Sequence, residues 1–578
     1  SSLALVDLNS TNVLPSHLGV TTDAERDELL DFVKGQGKFH PKTGDDVWKR
    51  DWILGDIIHS QPTILYDRDR NRNVIFVGAN DGFLHCFIDS DRGTPSLLDD
   101  EVREAWAYVP GDLLKNLKYL PSDNMTSAGT LGDTYHDYFV DGSPVLYKSG
   151  GSRYLAFGLR RGGKDLQTGG ELDNQYFILR LNASDDNVTP TLVARIAKDI
   201  LGSNPDDEKL GQSWCTPVFA TIKTGPAESN RQDVLLLTGG YDTNQDGDDP
   251  GGSDSKGRAV FAVGAASGAL VSSLNFNHKN FPQMRYSMVD LMAYDNDDDG
   301  CTDVIYAPSV GGDLFLFDDA HQNLGSVNDG TWTRRLLFRS NSMGGTSRLR
   351  KFMYAPAIVQ ETWGDWVYIA SGDREHPSDP TGSGYGGYNR IYAIRNTFPS
   401  TWNNDSPFTD GDLSDVSADE LQGTVSSPST LSEEQKMTLR YQLANTGNGW
   451  FFDLERPGEK AVSSPVVYKG VVYFTTYTPG RPSTEEDPCG TTGGGIARIY
   501  AVDYRTGEAV FATFDGNAAK LTKEDRYKDV GSGIPSEPVV IVTKAGTYVL
   551  VSTEEGTQPI KTGDPVGLNR YYWLKRVD

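Results

Sequence analysis

Histidine is scarce in this chain, cysteine scarcer, and long apolar runs are missing altogether. Eight histidines among 578 residues include no H-E-x-x-H pair, which excludes the helical zinc-protease arrangement. No G-x-S-x-G turn offers a serine nucleophile. Four cysteines, Cys86, Cys215, Cys301 and Cys489, stand far apart with no C-x-x-C, so zinc ribbons and thioredoxin-like redox motifs are excluded. That spacing leaves one or two disulfides and four buried thiols equally open. No apolar run reaches the ~18 residues of a membrane-spanning helix. The chain opens at Ser1 without a charged-then-apolar leader, and the expectation is a processed or truncated exported product. Basic residues are outnumbered, 54 Lys and Arg against 80 Asp and Glu, for a formal charge of −26. A nucleic-acid binder needs a basic stripe against phosphates, and none is present. Electrostatic attachment to anionic lipid is disfavoured for the same reason.

What is abundant is turn-forming and strand-forming residues: 62 Gly, 29 Pro and 10% aromatics. A strand opening marked by Ser or Pro recurs seven times, as HSQPTILY, DGSPVLY, SWCTPVFATI, SMVDLMAY, MYAPAIV, VSSPVVY and PSEPVVIV. Anchored on Pro62, Pro144, Pro217, Val289, Pro356, Pro465 and Pro538, the spacings are 82, 73, 72, 67, 109 and 73 residues. Each opening is followed by one or two further alternating runs rich in Val, Ile, Tyr and Phe that end in Gly or Asp turns. Units this small cannot bury their own faces, and packing them blade on blade around an axis does so. The expected fold is an all-β, seven-bladed β-propeller over 55–578, preceded by an N-terminal segment, 1–54, with one helix on the rim. Two separate β-sandwiches are the competing architecture, and they leave the repeat unexplained.

Two helices carry start signals. Thr22 with Glu25 forms a capping box ahead of a helix that stops at Gly35, and Ser432 with Gln435 forms another. The second lies in a partly helical insertion of about 400–450, expected between blades 5 and 6. The polar early part of that insertion, NNDSPFTDGDLSDVSADELQG, reads as a mobile loop.

The strongest chemical signal is the run Asp295-Asn296-Asp297-Asp298-Asp299-Gly300-Cys301-Thr302-Asp303. Carboxylates at positions 1, 3, 5 and 9, a glycine at 6 and a backbone carbonyl from Cys301 at 7 form the oxygen-rich cage that Ca²⁺ prefers. Asp295, Asp297, Asp299, Cys301 and Asp303 are therefore the expected metal ligands. Tyr306 stands where an EF-hand has its closing Glu, and both flanks read as strands, so this is a strand–loop–strand version. A plain solvated acidic turn is the bland alternative, although five close carboxylates repel one another without a cation. Asp242, Asn244 and Asp246 are a weaker second candidate, since Pro250 occupies position 9 and turn chemistry alone explains these residues. SGDREHP at Ser371 reads as an ion-paired turn holding the insertion. AVDYRTGEAVF at Ala501 resembles the docking motif of quinoprotein dehydrogenase propellers, with Phe511 in place of Trp. It reads as a blade-locking turn, with a periplasmic quinone-dependent (PQQ) dehydrogenase as the alternative function.

GDIIHSQP at Gly55, ELLDFVKGQG, GGYDTNQD, the DNDDDGCTD loop and SGDREHP together resemble the C-terminal domain of the type IV pilus assembly family called PilY or PilC. The resemblance runs from about Ala24 onward in matching order. It implies a modified seven-bladed, quinoprotein-like propeller at the pilus tip, outer surface or periplasm. It also implies a non-catalytic role: supporting assembly with minor pilins, counteracting retraction and mediating adhesion to a surface or host ligand. The family's calcium positions fall on Asp295, Asp297, Asp299 and Asp303, where occupancy is linked to the balance of extension and retraction. No Arg-Gly-Asp motif is present, so integrin binding does not carry over. Nothing housed in the family's variable N-terminal half can be assigned to these residues.

Overall fold

The computed structural model describes residues 5–39, 46–49, 53–90, 101–122, 136–227, 229–247, 252–319, 330–340, 349–377, 388–398, 402–480, 494–511, 521–544 and 546–562. Seven small, mainly antiparallel sheets follow one another in chain order, the arrangement of a seven-bladed β-propeller. They are blades 1 to 7. In six of them a strand starts directly behind the repeat proline: Thr63–Asp67, Val145–Ser149, Val218–Lys223, Ala357–Glu361, Val466–Tyr468 and Val539–Thr543. Proline fixes its own φ and lacks a ladder donor, so it is tolerated at that threshold. In blade 4, where Val289 replaces it, the first strand begins only at Met292 and is short, Met292–Tyr294.

Packing divides the described chain into two compact units. The first holds the N-terminal segment, blades 1 to 3 and the tip, 297–302, of one blade 4 loop. Its helix α1 (Asp23–Val33) begins as expected: the Glu25 N–H donates to Thr22 Oγ1 at 3.2 Å, and the Thr22 N–H donates back to Glu25 Oε2 at 2.9 Å. Leu29 and Leu30 of α1, with Leu18, Leu113 and Leu117, cover a core of Phe76, Cys86 and Ile88 from blade 1 and Leu155, Phe157 and Leu179 from blade 2.

The second unit holds most of blade 4 and blades 5 to 7. Leu316 and Phe338 pack on Ile369 and Tyr392; Trp450 and Phe452 pack on Phe474 and Tyr500; Tyr473 and Ile499 pack on Val549 and Val551. Within this unit each of blades 4 to 6 thus buries a face on the next. Removing one of these large aromatics would cost about 3–5 kcal/mol. Neighbouring blades also approach closely where the second strand ends. A Cβ on Gly158 would sit 2.7 Å from the Ser213 carbonyl oxygen, and one on Gly372 would sit 2.2 Å from that of Ala461. This explains why the second run of most repeats ends in glycine.

The insertion falls inside blade 5 rather than between blades 5 and 6 as expected: it joins the third strand, Arg390–Asn396, to the fourth, Gly449–Asp453, which completes the same sheet only after it. The expectation of a mobile loop in its early part is overturned. Phe408–Thr409 pairs in parallel with the outer strand of blade 4, and Ser414–Asp415 with that of blade 5. Its polar residues are bound rather than solvated. Buried Asp410 lies 2.6 Å from Arg390 Nη1, Asn404 Oδ1 accepts the Leu336 N–H at 2.8 Å, and the Trp402 indole donates to the Leu336 carbonyl at 3.0 Å. Helix α2 (Glu433–Asn445) follows, with Ser432 and Gln435 reciprocally capping it. Cys86, Cys215 and Cys301 are buried and none of them is in a disulfide, and Cys489 lies outside the described residues. Among the described residues no helix is long and apolar enough to cross a membrane.

Candidate metal centre

The hairpin of Met292–Tyr294 and Val304–Pro308 pairs Tyr294 with Val304, leaving the nine acidic-loop residues 295–303 between the strands. Backbone donors wind the loop around its own carboxylates. The Asn296 N–H donates to Asp303 Oδ1 at 2.9 Å, the Asp299 N–H to Asp297 Oδ1 at 3.2 Å, and the Asp303 N–H to the Tyr294 carbonyl at 3.2 Å. Asp298 and Gly300 adopt left-handed φ values of 60° and 85°, which turn the chain at the tip.

The result brings one carboxylate oxygen each from Asp295, Asp297 and Asp303 within 4.8 Å of one another. Oxygens on opposite sides of a Ca²⁺ lie about 4.8 Å apart at bond lengths of ~2.4 Å, so the three fit a hard cation. Asp303 is fully buried, Asp295 half-buried and Asp297 exposed. Asp299, expected as a fourth ligand, is turned elsewhere. Its Oδ1 accepts the Cys301 N–H at 2.7 Å and its Oδ2 pairs with Lys223 Nζ at 3.1 Å. Burial works against ionisation, but these partners hold the Asp299 carboxyl below its ordinary range. Burial pushes the Cys301 thiol up to about 11. It stays neutral at physiological pH and brings no thiolate to a cation.

Two residues that sequence reading missed support the hairpin. Tyr294 and Tyr306 both donate to Asp365 Oδ2, the latter at 2.7 Å, and Asn396 Nδ2 donates to the Tyr306 hydroxyl at 2.8 Å. Burial pushes the Asp365 carboxyl up to about 6 against the pull of the two phenols. The strand GDWVYIA contains the one signal for it, an acid inside an otherwise apolar run. Lys223, which ends the strand VFATIK, had the same kind of signal.

The second acidic segment is held differently. Asp242 Oδ2 accepts from the Ser255 N–H and hydroxyl, both at 2.8 Å, and from the Lys256 N–H at 3.2 Å. Asn244 and Asp246 lie in a 3-10 turn, Thr243–Asp246, and Asp248 to Pro250 fall outside the described residues. SGDREHP is an ion-paired turn, as read, but it grips this segment rather than the insertion. Asp373 lies 2.7 Å from Lys351 Nζ and 2.9 Å from His376 Nδ1. His376 Nε2 lies 3.1 Å from the Asp246 carbonyl, and Lys351 donates to that of Gln245 at 2.7 Å. Burial opposes ionisation of Asp373, yet these cations hold its carboxyl well below the usual range.

The quinoprotein-like string forms a closed turn. Asp503 Oδ1 accepts the Arg505 and Thr506 N–H groups and the Thr506 hydroxyl, each at 3.0 Å. Phe511 is buried among Val471, Tyr473 and Ile499, while Arg505 pairs with Glu361 of blade 5 at 2.6 Å. Locking one blade to its neighbour accounts for all of these residues.

Comparison with known proteins finds similarity to proteins described as type IV pilus biogenesis factors. The family model described as the PilY1 beta-propeller domain matches residues 60–347. A type IV pilus biogenesis factor PilY1 homolog of Xylella fastidiosa is 25% identical over 463 residues, covering 75% of this chain and 26% of that protein. The type IV pilus biogenesis factor PilY1 of Pseudomonas aeruginosa is 23% identical over 559 residues, covering 85% and 42%. The chain therefore spans well under half the length of these relatives. The crystal structure of the Pseudomonas aeruginosa PilY1 C-terminal domain has the same fold. It aligns with a TM-score of 0.54 at 17% identity over 85% of this chain and 92% of that one.

Proposed function

Residues 60–347 belong to the PilY1 β-propeller domain family, and from that premise we propose that this chain is a calcium-binding, non-catalytic module of type IV pilus assembly. The observation that carries the reading is the convergence of the Asp295, Asp297 and Asp303 carboxylates in one loop. Three carboxylates at that separation repel one another, and a hard divalent ion would offset the repulsion. When bound, the ion supplies charge and order and takes no part in a reaction. Asp303, fixed by the Asn296 N–H, would form the floor of the cage. Asp297, exposed at the tip, would close it and so transmit occupancy to the surface.

That ordered surface would meet minor pilins, support assembly, counteract retraction and serve adhesion to a surface or host ligand. These roles require an exported chain at the pilus tip, outer surface or periplasm. Oxygen sites of extracellular modules bind with Kd of roughly 10⁻⁴ to 10⁻³ M, which suits sensing of ambient calcium.

Calorimetric titration with Ca²⁺ tests the reading. Asp297→Ala should weaken binding at least ~10-fold while its thermal melt without added ion stays as in the wild type. Equal affinity in the variant would refute the site. Pull-down of minor pilins with and without chelator tests the partner: capture should require calcium, and chelator-insensitive capture would separate the propeller's contacts from its ion.

A further inference from the structure

The acidic loop is carried by blade 4, but side chains that grip its mouth belong to blade 5. There Gln360, on the strand Ala357–Glu361, stands directly opposite Asp365, on the strand Gly364–Ala370. Opposed residues of an antiparallel pair send their side chains to the same face of the sheet, and this pair meets the loop's hairpin at three points. Asp365 Oδ2 accepts the Tyr294 and Tyr306 hydroxyls, one from each strand of that hairpin. Gln360 Nε2 donates to Asn296 Oδ1 at 2.9 Å. Asp295 is therefore bracketed, because both of its chain neighbours, Tyr294 and Asn296, are tied to blade 5. The Asn296 N–H in turn donates to Asp303 Oδ1 at 2.9 Å.

We propose that Gln360 and Asp365 are positioning residues for the cation cage, so that the affinity of the blade 4 loop is set from blade 5. This rests on the calcium reading above. Asp295 follows Tyr294 and Asp303 precedes Val304, and Tyr294 and Val304 pair across the hairpin. The gap between the strands at the mouth thus governs the gap between the first and last carboxylates. Drawing those carboxylates together costs mutual repulsion and chain entropy. Two phenols converging on one oxygen fix the gap during folding, and the ion then meets a cage already assembled. Asp365, Tyr306 and Asn396, whose Nδ2 donates to the Tyr306 hydroxyl at 2.8 Å, are all buried. A phenol left there without its acceptor bears its full desolvation cost, and the mouth relaxes to relieve it.

The test is Ca²⁺ titration by calorimetry on wild type, Asp365→Leu, Asp365→Asn and Gln360→Ala. Each is also melted in chelator, and amide hydrogen exchange of 295–303 is followed in the same ion-free buffer. Asp365→Leu should bind at least ~10-fold more weakly, and its ion-free loop should exchange faster. Asp365→Asn keeps an oxygen that accepts both phenols and should stay within ~3-fold of wild type. Gln360→Ala, which loses one exposed hydrogen bond, should weaken binding by ~3-fold. Wild-type affinity in Asp365→Leu would overturn the proposal. So would a loss in Asp365→Asn as large as in Asp365→Leu, since the carboxylate would then act through its charge. If Asp365→Leu fails to fold, Tyr294→Phe combined with Tyr306→Phe removes both hydroxyls at nearly constant volume and must show the same loss. A wild type that binds no Ca²⁺ would instead remove the calcium reading, and unchanged exchange of the ion-free loop in Asp365→Leu would remove the positioning role.

Discussion

His85 shows how much a single buried residue can carry. It lies in blade 1 with Nδ1 2.5 Å from Glu104 Oε1 and Nε2 3.1 Å from both oxygens of Asp81. Burial would lower its pKa, but the hydrogen bonds and charges of Asp81 and Glu104 outweigh that and raise it from 6.5 to about 9. Asp81 also accepts the Gly55 and Phe83 N–H groups at 2.9 and 3.1 Å, so the imidazolium helps fix the start of the propeller. A folded pKa above the unfolded one means the fold binds the proton more tightly. The contribution is complete below pH 6.5 and disappears as pH rises through about 9. Its size is at most roughly 3 kcal/mol. Urea titrations of wild type and His85→Gln across pH 6 to 10 should show the wild type's advantage shrinking in that window. A difference that is constant with pH would show the histidine to be neutral in the fold.

At the scale of elements, the sequence was a good guide to what repeats and a poor one to what is bound. Strand starts were legible because proline marks them and period-two alternation follows; both helices were legible from their capping boxes. The nine-residue loop was legible as a turn of acids, and its carboxylates at positions 1, 3 and 9 do converge. The diversion of Asp299 was not, because spacing along a loop carries no record of a lysine on another strand. The insertion misled for a related reason. Composition cannot tell an acid facing water from one facing Arg390 and Arg350, which lie 2.6 and 3.7 Å from Asp410. Asp410→Ala would take one carboxylate from two buried or half-buried guanidinium groups, of which Arg390 keeps Asp453 at 2.6 Å and Arg350 keeps the Tyr388 carbonyl at 3.0 Å, a loss of about 1–3 kcal/mol. Limited proteolysis should then cut first within 402–423, with calcium affinity unchanged. Resistance equal to wild type would mean the parallel strand pairs alone hold this segment.

At the scale of the whole molecule, stability comes from burial between blades. A chain of 578 residues buries a large enough share of its surface to need no covalent staples. The cysteines agree: among the described residues Cys86, Cys215 and Cys301 are buried and none is in a disulfide. Cys86 lies in the core shared by blades 1 and 2, and burial pushes its thiol up to about 12, which keeps it inert as a nucleophile. An exported protein meets an oxidising compartment, where small domains depend on disulfides worth about 2–5 kcal/mol each. This propeller should not. Thermal melts with and without a strong thiol reductant should coincide within about 1 °C, because removing a bridge of that strength would shift the midpoint by several degrees. A reductant-dependent fall of that size would mean that two of the four sulfurs pair in solution, and that the blades do not hold one another by packing alone.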